Sequence, residues 1–418
     1  MPRLAVLFPG QGSQYIGMAK PLCSEYRVAR QVYEEANDIL GWDLRKICWE
    51  GNINELTRTD NAQLAILVHS VAAYRVFQDV LDLTPELAAG HSLGEFTALT
   101  CSGAVSFSDV LRIVKIRGRL MQEGSAKQAG SMLAVNGIDA EQVEEMCESL
   151  RRQGYSISIS CNNSINQMIV SGCPNALRQM EFLINQTNGY AVMLKVGGPF
   201  HSPLMHEAAL HFKEELKNVH FCSFNYPVLS NVTAQPYNRR EEITSLLVRQ
   251  MTQTVQWHSI MEYIQHEGIE YVLELGPNTV LRNLFKKGYA RMNAYSLDDS
   301  SDFQLLLSNY KKNSQSATSE QAKKFVSRCL ATAVCLQNYN FDEEEYHQEV
   351  VIPYRKVCEL LQHWDSDQGS PYAKMEQAYH MLQHVSAYKN VPLKEQQNRI
   401  EELINETGVR GFYPDLVF

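Results

Sequence analysis

The chain has 418 residues, is 44% hydrophobic and carries a formal net charge of -9, enough for roughly two or three domains and the wrong sign for a protein that works mainly on nucleic acid. No unbroken apolar run reaches the roughly 18 residues that span a bilayer, and the first residues lack the apolar stretch of a signal peptide, so a cytoplasmic protein with no membrane partner is expected. The 10 cysteines are scattered from Cys23 to Cys358 without a C-x-x-C pair, a pattern that argues against a zinc site and a disulfide framework and suits a reducing compartment.

From the N-terminus to about residue 125, strand-like and helix-like segments alternate, as in an α/β sheet with helical connections. Leu4-Ala5-Val6-Leu7-Phe8 reads as a strand running into Pro9-Gly10-Gln11-Gly12-Ser13-Gln14, a turn that lacks both the G-x-G-x-x-G spacing and the Lys-Ser/Thr ending of nucleotide-binding loops. Leu87-Ala88-Ala89 leads into Gly90-His91-Ser92-Leu93-Gly94 and then a helix from Glu95. G-x-S-x-G between strand and helix is a nucleophile elbow, which makes Ser92 the candidate nucleophile and the amide of Leu93 a candidate oxyanion donor.

The helix that follows places Val110, Ile113, Val114, Leu120 and Met121 on one stripe with Arg117 in its middle, and Arg112, Lys115 and Arg119 on the opposite face. A guanidinium on a buried stripe costs several kcal/mol unless an anion meets it. That anion is either a carboxylate of the protein or one carried by the substrate.

Residues 129–198 change rhythm to βαββαβ, the order of a ferredoxin-like module, with strands near Ser131–Val135, Ser156–Ser160, Met168–Ser171 and Ala191–Leu194. Strands at Tyr226–Ser230 and Tyr271–Leu275 then resume the first sheet. The expected fold is therefore α/β, with an α/β-hydrolase-like large subdomain over 1–128 and 199–298 and the small module inserted into it. A cleft between two subdomains is the expected place for a substrate. Polar, small residues over 299–320 read as a linker, and 321–418 as a helical extension without a nucleophile, glycine-rich loop or ligand cluster. His380 and His384 have no evident third ligand there, so no metal is expected.

His201 sits where the chain leaves the small module, in Gly197-Gly198-Pro199-Phe200-His201-Ser202-Pro203, and Asp109 and Asp139, the aspartates between Ser92 and His201, belong to no recognisable acid motif. Together with Pro9–Gln14, Gly90–Glu95, Arg117 and Val248-Arg249-Gln250, this segment resembles the malonyl-CoA:acyl carrier protein transacylase family, including trans-acting acyltransferases of polyketide assembly lines, over about residues 3 to 295.

The resemblance implies a Ser92–His201 dyad with the backbone carbonyl of Gln250 orienting the imidazole, the Gln250 side chain mattering less than its position. It also implies an oxyanion hole completed by Gln11, and Arg117 gripping the free malonyl carboxylate through a planar fork. Phe200 would exclude a methyl branch, and Met121 and Asn162 match pocket-lining positions. Malonyl-CoA and an acyl carrier protein are the implied partners, with phosphopantetheine carried by the partner and no tightly bound cofactor. The tail is compatible with packing on the transferase, dimerising, or holding a ketosynthase or other assembly-line protein.

Rival readings are an acyl hydrolase that clears stalled carriers, whose relatives tend to lack the arginine, and an interaction protein acting through its tail. The chain departs from the family at Glu274-Leu275-Gly276-Pro277-Asn278, where a second glycine commonly follows the proline, and Gly198 occupies a variable position.

Overall fold

The computed structural model describes residues 3–407 apart from 82, 128–129, 195–196, 290–291 and 366–368, and gives no side-chain detail at 126–127, 310–318 and 405. Of the described residues, those up to Leu307 form one compact unit and those from Ser308 another.

In the first unit, strands β1 (Leu4–Phe8), β2 (Leu87–Gly90), β7 (Val228–Leu229), β8 (Tyr271–Glu274) and β9 (Asn293–Ser296) build a 5-stranded sheet in the order β7-β2-β1-β8-β9. Every pairing in it is parallel. Its strands are apolar and buried, as a sheet covered on both faces by crossover helices requires. The order turns around β1, whose neighbours are β2 and β8, so a crevice opens beyond the carboxyl ends of β1 and β2. Register then decides the site: Phe8 pairs with Gly90. The glycine-rich turn after β1 and the serine turn after β2 therefore leave the sheet side by side.

Helix Thr59–Leu81 is long and apolar enough to cross a membrane, but 72% of its most apolar window is buried inside the protein. Its burial runs around the whole circumference from Ala62 to Tyr74, the mark of a central core helix.

The inserted module holds β3 (Ser131–Asn136), β4 (Ile157–Ser164), β5 (Gln167–Gly172) and β6 (Tyr190–Met193), with helices Ala140–Arg152 and Pro174–Ile184. Its 4-stranded sheet runs β4-β5-β3-β6 with antiparallel pairing, the ferredoxin-like arrangement. Alternation along β3 divides its side chains between two cores. Leu133 and Val135 pack with Val143, Cys147, Leu177 and Met180 of the module's own helices, whereas Met132 and Ala134 join the core of the large sheet. The module's expected limits at 128–129 and near 195–196 fall outside the described residues.

The stretch expected as a linker is helical, because a single helix spans Ser300–Cys335. It contains neither glycine nor proline, and its serines, lysines, glutamines and alanines are tolerable helix formers. Phe303 and Leu306 bury themselves in the first unit's core.

Beyond it, helices Ile352–Gln362, Pro371–Tyr388 and Leu393–Thr407 close the second unit around Phe325, Val326, Cys329, Met375, Leu382 and Val385. The Lys389 ammonium donates to the carbonyls of Ala333 (2.8 Å) and Leu336 (3.0 Å), satisfying the C-terminal carbonyls of the long helix. Residues from 408 on lie outside the described part.

Each unit thus has its own core. A chain ended after residue 310 should give a soluble protein with one cooperative thermal transition by circular dichroism, at a Tm within a few degrees of the first transition of the whole chain. Aggregation or a non-cooperative melt would show that the first unit depends on the second.

Candidate active site

The elbow is built by close approach. A Cβ on Gly90 would lie 1.9 Å from the carbonyl of Gly94, and one on Gly94 would lie 2.0 Å from the Phe8 carbonyl oxygen. Only glycine lets the Leu93–Cys101 helix sit this near the ends of β1 and β2. Ser92 itself has φ 52 and ψ -102, a conformation that costs about 1–3 kcal/mol and persists only where neighbours over-determine it. Asn231, just past β7, does so: its side-chain oxygen accepts from the Ser92 amide (2.7 Å) and its side-chain nitrogen donates to the Gly90 carbonyl (2.7 Å).

His201 also has positive φ (54). Its loop is tied by Ser171, which donates to the Phe200 carbonyl (2.7 Å), and by Ser202, which donates to the Pro199 carbonyl (2.6 Å). The Ser92 hydroxyl lies 2.7 Å from His201 Nε2, and His201 Nδ1 lies 2.6 Å from the Gln250 backbone oxygen. A carbonyl only accepts, so Nδ1 carries the proton and Nε2 is left to receive one from Ser92. Burial pushes the imidazole down to about 3, Arg117 adds to this, and the Gln250 carbonyl partly opposes it. His201 is therefore neutral at neutral pH, the form a general base needs.

Arg117 is fully buried. Its Nη1 donates to Gln63 Oε1 (2.8 Å), and its Nη2 to Gln250 Oε1 (2.9 Å) and Ser92 Oγ (3.2 Å). Its guanidinium also lies 5.1 Å from the Phe96 ring centroid. Burial lowers it to about 10, with Glu95 pulling the other way, so it stays charged. Every one of these hydrogen-bond partners is neutral. The solvated charges expected on the opposite face, Arg112, Lys115 and Arg119, are exposed.

A cavity of about 230 Å³ joins these groups. Gln63, Ser92, Arg117 and His201 lie on its polar side, Met121, Met132, Ile169, Leu194 and Phe200 form apolar walls, and Gln11 and Leu93 also border it. Leu93 opens its helix, where the first amides have no intrahelical acceptor.

The Acyl transferase domain family matches residues 6–332. The chain is 34% identical over 400 residues to a malonyl CoA-acyl carrier protein transacylase of Bacillus subtilis, covering 95% of this chain and 99% of that protein. It is 35% identical over 302 residues to the Escherichia coli K12 protein of the same name, covering 72% of this chain and 97% of that one. Among solved structures, FabD from Acinetobacter baumannii aligns with TM-score 0.70 and 34% identity over 73% of this chain and 98% of that one. A malonyl-transacylase in complex with its type II polyketide-synthase acyl-carrier protein aligns with TM-score 0.71 and 35% identity, over 73% of this chain and 99% of that one. The chain belongs to the malonyl-CoA:acyl carrier protein transacylase family.

Against the positions that membership suggested, two corrections stand out. Asn163, not Asn162, borders the cavity. Register shifts in β4 fall between Ile159 and Cys161 and between Asn162 and Ser164, and alternation puts Cys161 and Asn163 on the cavity side. Asn163 Oδ1 lies 2.9 Å from His91 Nε2, whereas Asn162 gives its amide to the Val255 carbonyl. The Gln250 side chain, expected to matter less than its backbone, donates to the Ser92 carbonyl (2.9 Å) and to Glu95 (2.6 Å) while accepting from Arg117.

Met121 is both core and cavity wall, with its sulfur 3.3 Å from Gln63 Nε2. Asp139 caps the Ala140–Arg152 helix by accepting from the Gln142 amide, and Asp109 accepts from the hydroxyl of Ser106, which itself accepts from the Asp109 amide in the first turn of the Arg117 helix, while the ring nitrogens of His201 are taken by Ser92 and Gln250. Asn278, at the departure from the family pattern, takes φ 65 and donates to the Ser13 carbonyl (2.8 Å).

Sequence reasoning missed Gln63, Glu95, Asn231 and Tyr237. Glu95 had a signal of the same kind as Arg117: a charge in a helix whose other positions from Leu93 to Leu99 are nearly all apolar. Its carboxyl is buried, accepts from Gln250, Tyr237 and the Asn231 amide, and is raised by burial to about 7. Asn231 follows a two-residue strand and carries no such signal.

Because the imidazole is held well below its ordinary value near 6.5, protonation of His201 should not limit acylation in the usual histidine range. In Glu95→Gln, where the carboxyl raised to about 7 no longer titrates, single-turnover acylation of Ser92 by acetyl-CoA should show no loss with a midpoint near 6.5 between pH 5.5 and 8. A histidine-like inflection that persists in that variant would mean that His201 is more solvated than the structure shows.

Proposed function

We propose that the protein transfers a malonyl group from malonyl-CoA to the phosphopantetheine thiol of an acyl carrier protein through a malonyl ester on Ser92. The observation that carries this reading is the buried guanidinium of Arg117, which contacts Ser92 Oγ and only neutral acceptors. A substrate carboxylate one acyl length from Ser92 supplies the anion that no group in direct contact with Arg117 provides.

In the first half-reaction, Ser92 Oγ attacks the thioester carbonyl as His201 Nε2 takes its proton. Negative charge builds on the carbonyl oxygen, and we assign its stabilisation to the amides of Leu93 and Gln11, two residues that border the cavity. Collapse breaks the carbon–sulfur bond and His201 returns the proton to the departing CoA thiol. The second half runs in reverse, with the carrier's thiol as nucleophile and Ser92 as leaving group. A main-chain carbonyl in place of an aspartate orients His201 without adding a charge to the site.

Phe200, 4% exposed on the cavity wall, occupies space a methyl branch would need. One methyl is worth about 1–3 kcal/mol, so the preference for malonyl over methylmalonyl is moderate.

We place the reaction in the cytoplasm and in trans on the carriers of a polyketide assembly line. The resemblance to a type II polyketide-synthase transacylase supports this, as does a helical second unit that holds none of the proposed chemistry. That unit is the surface we assign to a further assembly-line protein such as a ketosynthase.

Substitution of Arg117 by alanine tests the reading. Charge-assisted hydrogen bonds contribute about 1.5–3 kcal/mol, so malonyl kcat/KM should fall by roughly tenfold to over a hundredfold while transfer from acetyl-CoA is retained or rises. An equal fall for both thioesters in a folded variant would make Arg117 structural and remove the malonyl assignment.

A further inference from the structure

Gln250 offers one acceptor and two amide hydrogens, and all are committed. Its Nε2 donates to Glu95 Oε2 (2.6 Å) and to the Ser92 carbonyl (2.9 Å), which leaves only Oε1 to face Arg117 Nη2 (2.9 Å). Turning the amide over would set its oxygen against both the Glu95 carboxylate and the Ser92 carbonyl, and its NH₂ against the guanidinium. Glu95 and the Ser92 carbonyl thus fix which way the amide points. Glu95 is itself fixed: its Oε1 accepts from the Asn231 amide (3.2 Å) and from the Tyr237 hydroxyl, and it has no exposed surface. It is also the charged group that acts on Arg117. A carboxylate touching Arg117 directly would occupy the fork and compete with a substrate's carboxylate. Here an amide stands between them.

We infer that Glu95 is a positioning residue for acyl-group selectivity: it holds the counter-charge of Arg117 one side chain away and, by orienting the Gln250 amide, keeps the guanidinium fork aimed at Ser92 and open to a substrate carboxylate. The inference rests on the malonyl reading above. It assigns Glu95 no contact with the reacting atoms.

The test is the ratio of malonyl to acetyl transfer, measured as kcat/KM for each CoA thioester with the full chain. In Glu95→Gln, the carboxamide must keep its oxygen for Asn231 and Tyr237, so its NH₂ meets the NH₂ of Gln250 and drives that amide over. The ratio should fall at least tenfold, chiefly through KM for malonyl-CoA. Tyr237→Phe removes one donor to Glu95 while the Asn231 amide and Gln250 still hold the carboxylate, and it should leave the ratio within about threefold of the unsubstituted protein.

If Glu95→Gln does not fold, the double variant Glu95→Gln with Gln250→Glu decides. It restores a donor–acceptor pair at that contact but moves the negative charge onto Arg117, and the ratio should again fall at least tenfold. Malonyl and acetyl transfer falling together, an unchanged ratio in either variant, or a Tyr237→Phe ratio that falls as far as that of Glu95→Gln would each overturn the role of Glu95. Failure of the unsubstituted protein to transfer malonyl would instead overturn the functional reading itself.

Discussion

A guanidinium with no exposed surface has to be compensated by something, and the choice of compensator at Arg117 shapes the whole site. Gln63, Gln250 and Ser92 satisfy its hydrogen bonds without cancelling its charge. The Phe96 ring, 5.1 Å away, adds weak cation–π attraction. Glu95 lies one side chain further out, hydrogen-bonded to Gln250 and not to Arg117. Such a cation is held in place but not neutralised, and the cheapest way to complete its environment is a bound carboxylate. The same side chain reaches the nucleophile, so the acyl group that satisfies Arg117 is also the one positioned over Ser92.

The nucleophile depends on the register of the sheet. Pairing of Phe8 with Gly90 brings two turns together at the carboxyl ends of adjacent parallel strands, and contacts too short for any Cβ lock the helix behind Ser92 against both. His201 arrives from the far side of the inserted module, and its orientation comes from a main-chain carbonyl at the end of helix Ile243–Gln250. Gln250 thus serves both halves of the site: its backbone orients the base and its side chain orients the cation. The Gln250 carbonyl takes the place that a carboxylate holds beside the histidine in a triad.

Much of this was legible in the residues. The elbow at Gly90–Gly94 announced itself because strained turns demand glycine. The charge of Arg117 on an apolar stripe showed because burial of a cation is costly enough to mean something. The βαββαβ order of the small module followed from its changing periodicity. Other features were not legible, since they depend on contacts between segments distant in sequence. The bulged register of β4 exchanged Asn163 for Asn162, and no local pattern reports a bulge of that kind. Asn231 and Tyr237 gain meaning only from the fold that brings them to Glu95. The stretch from 299 to 320 looked like a linker by polarity, yet the absence of glycine and proline was the better guide, and a helix from Ser300 to Cys335 formed there.

On this mechanism Ser92 carries a malonyl ester which a carrier thiol, and not water, removes. Peptide mass spectrometry of the protein mixed with malonyl-CoA, before and after addition of a carrier bearing its phosphopantetheine arm, tests it directly. The malonyl group should appear on the peptide containing Ser92 and leave within a turnover of adding that carrier, appearing on its thiol, while a carrier without the arm leaves the ester in place. Loss of the ester to water at the same rate with or without the thiol-bearing carrier would identify a hydrolase, and a malonyl group found elsewhere than Ser92 would contradict the mechanism.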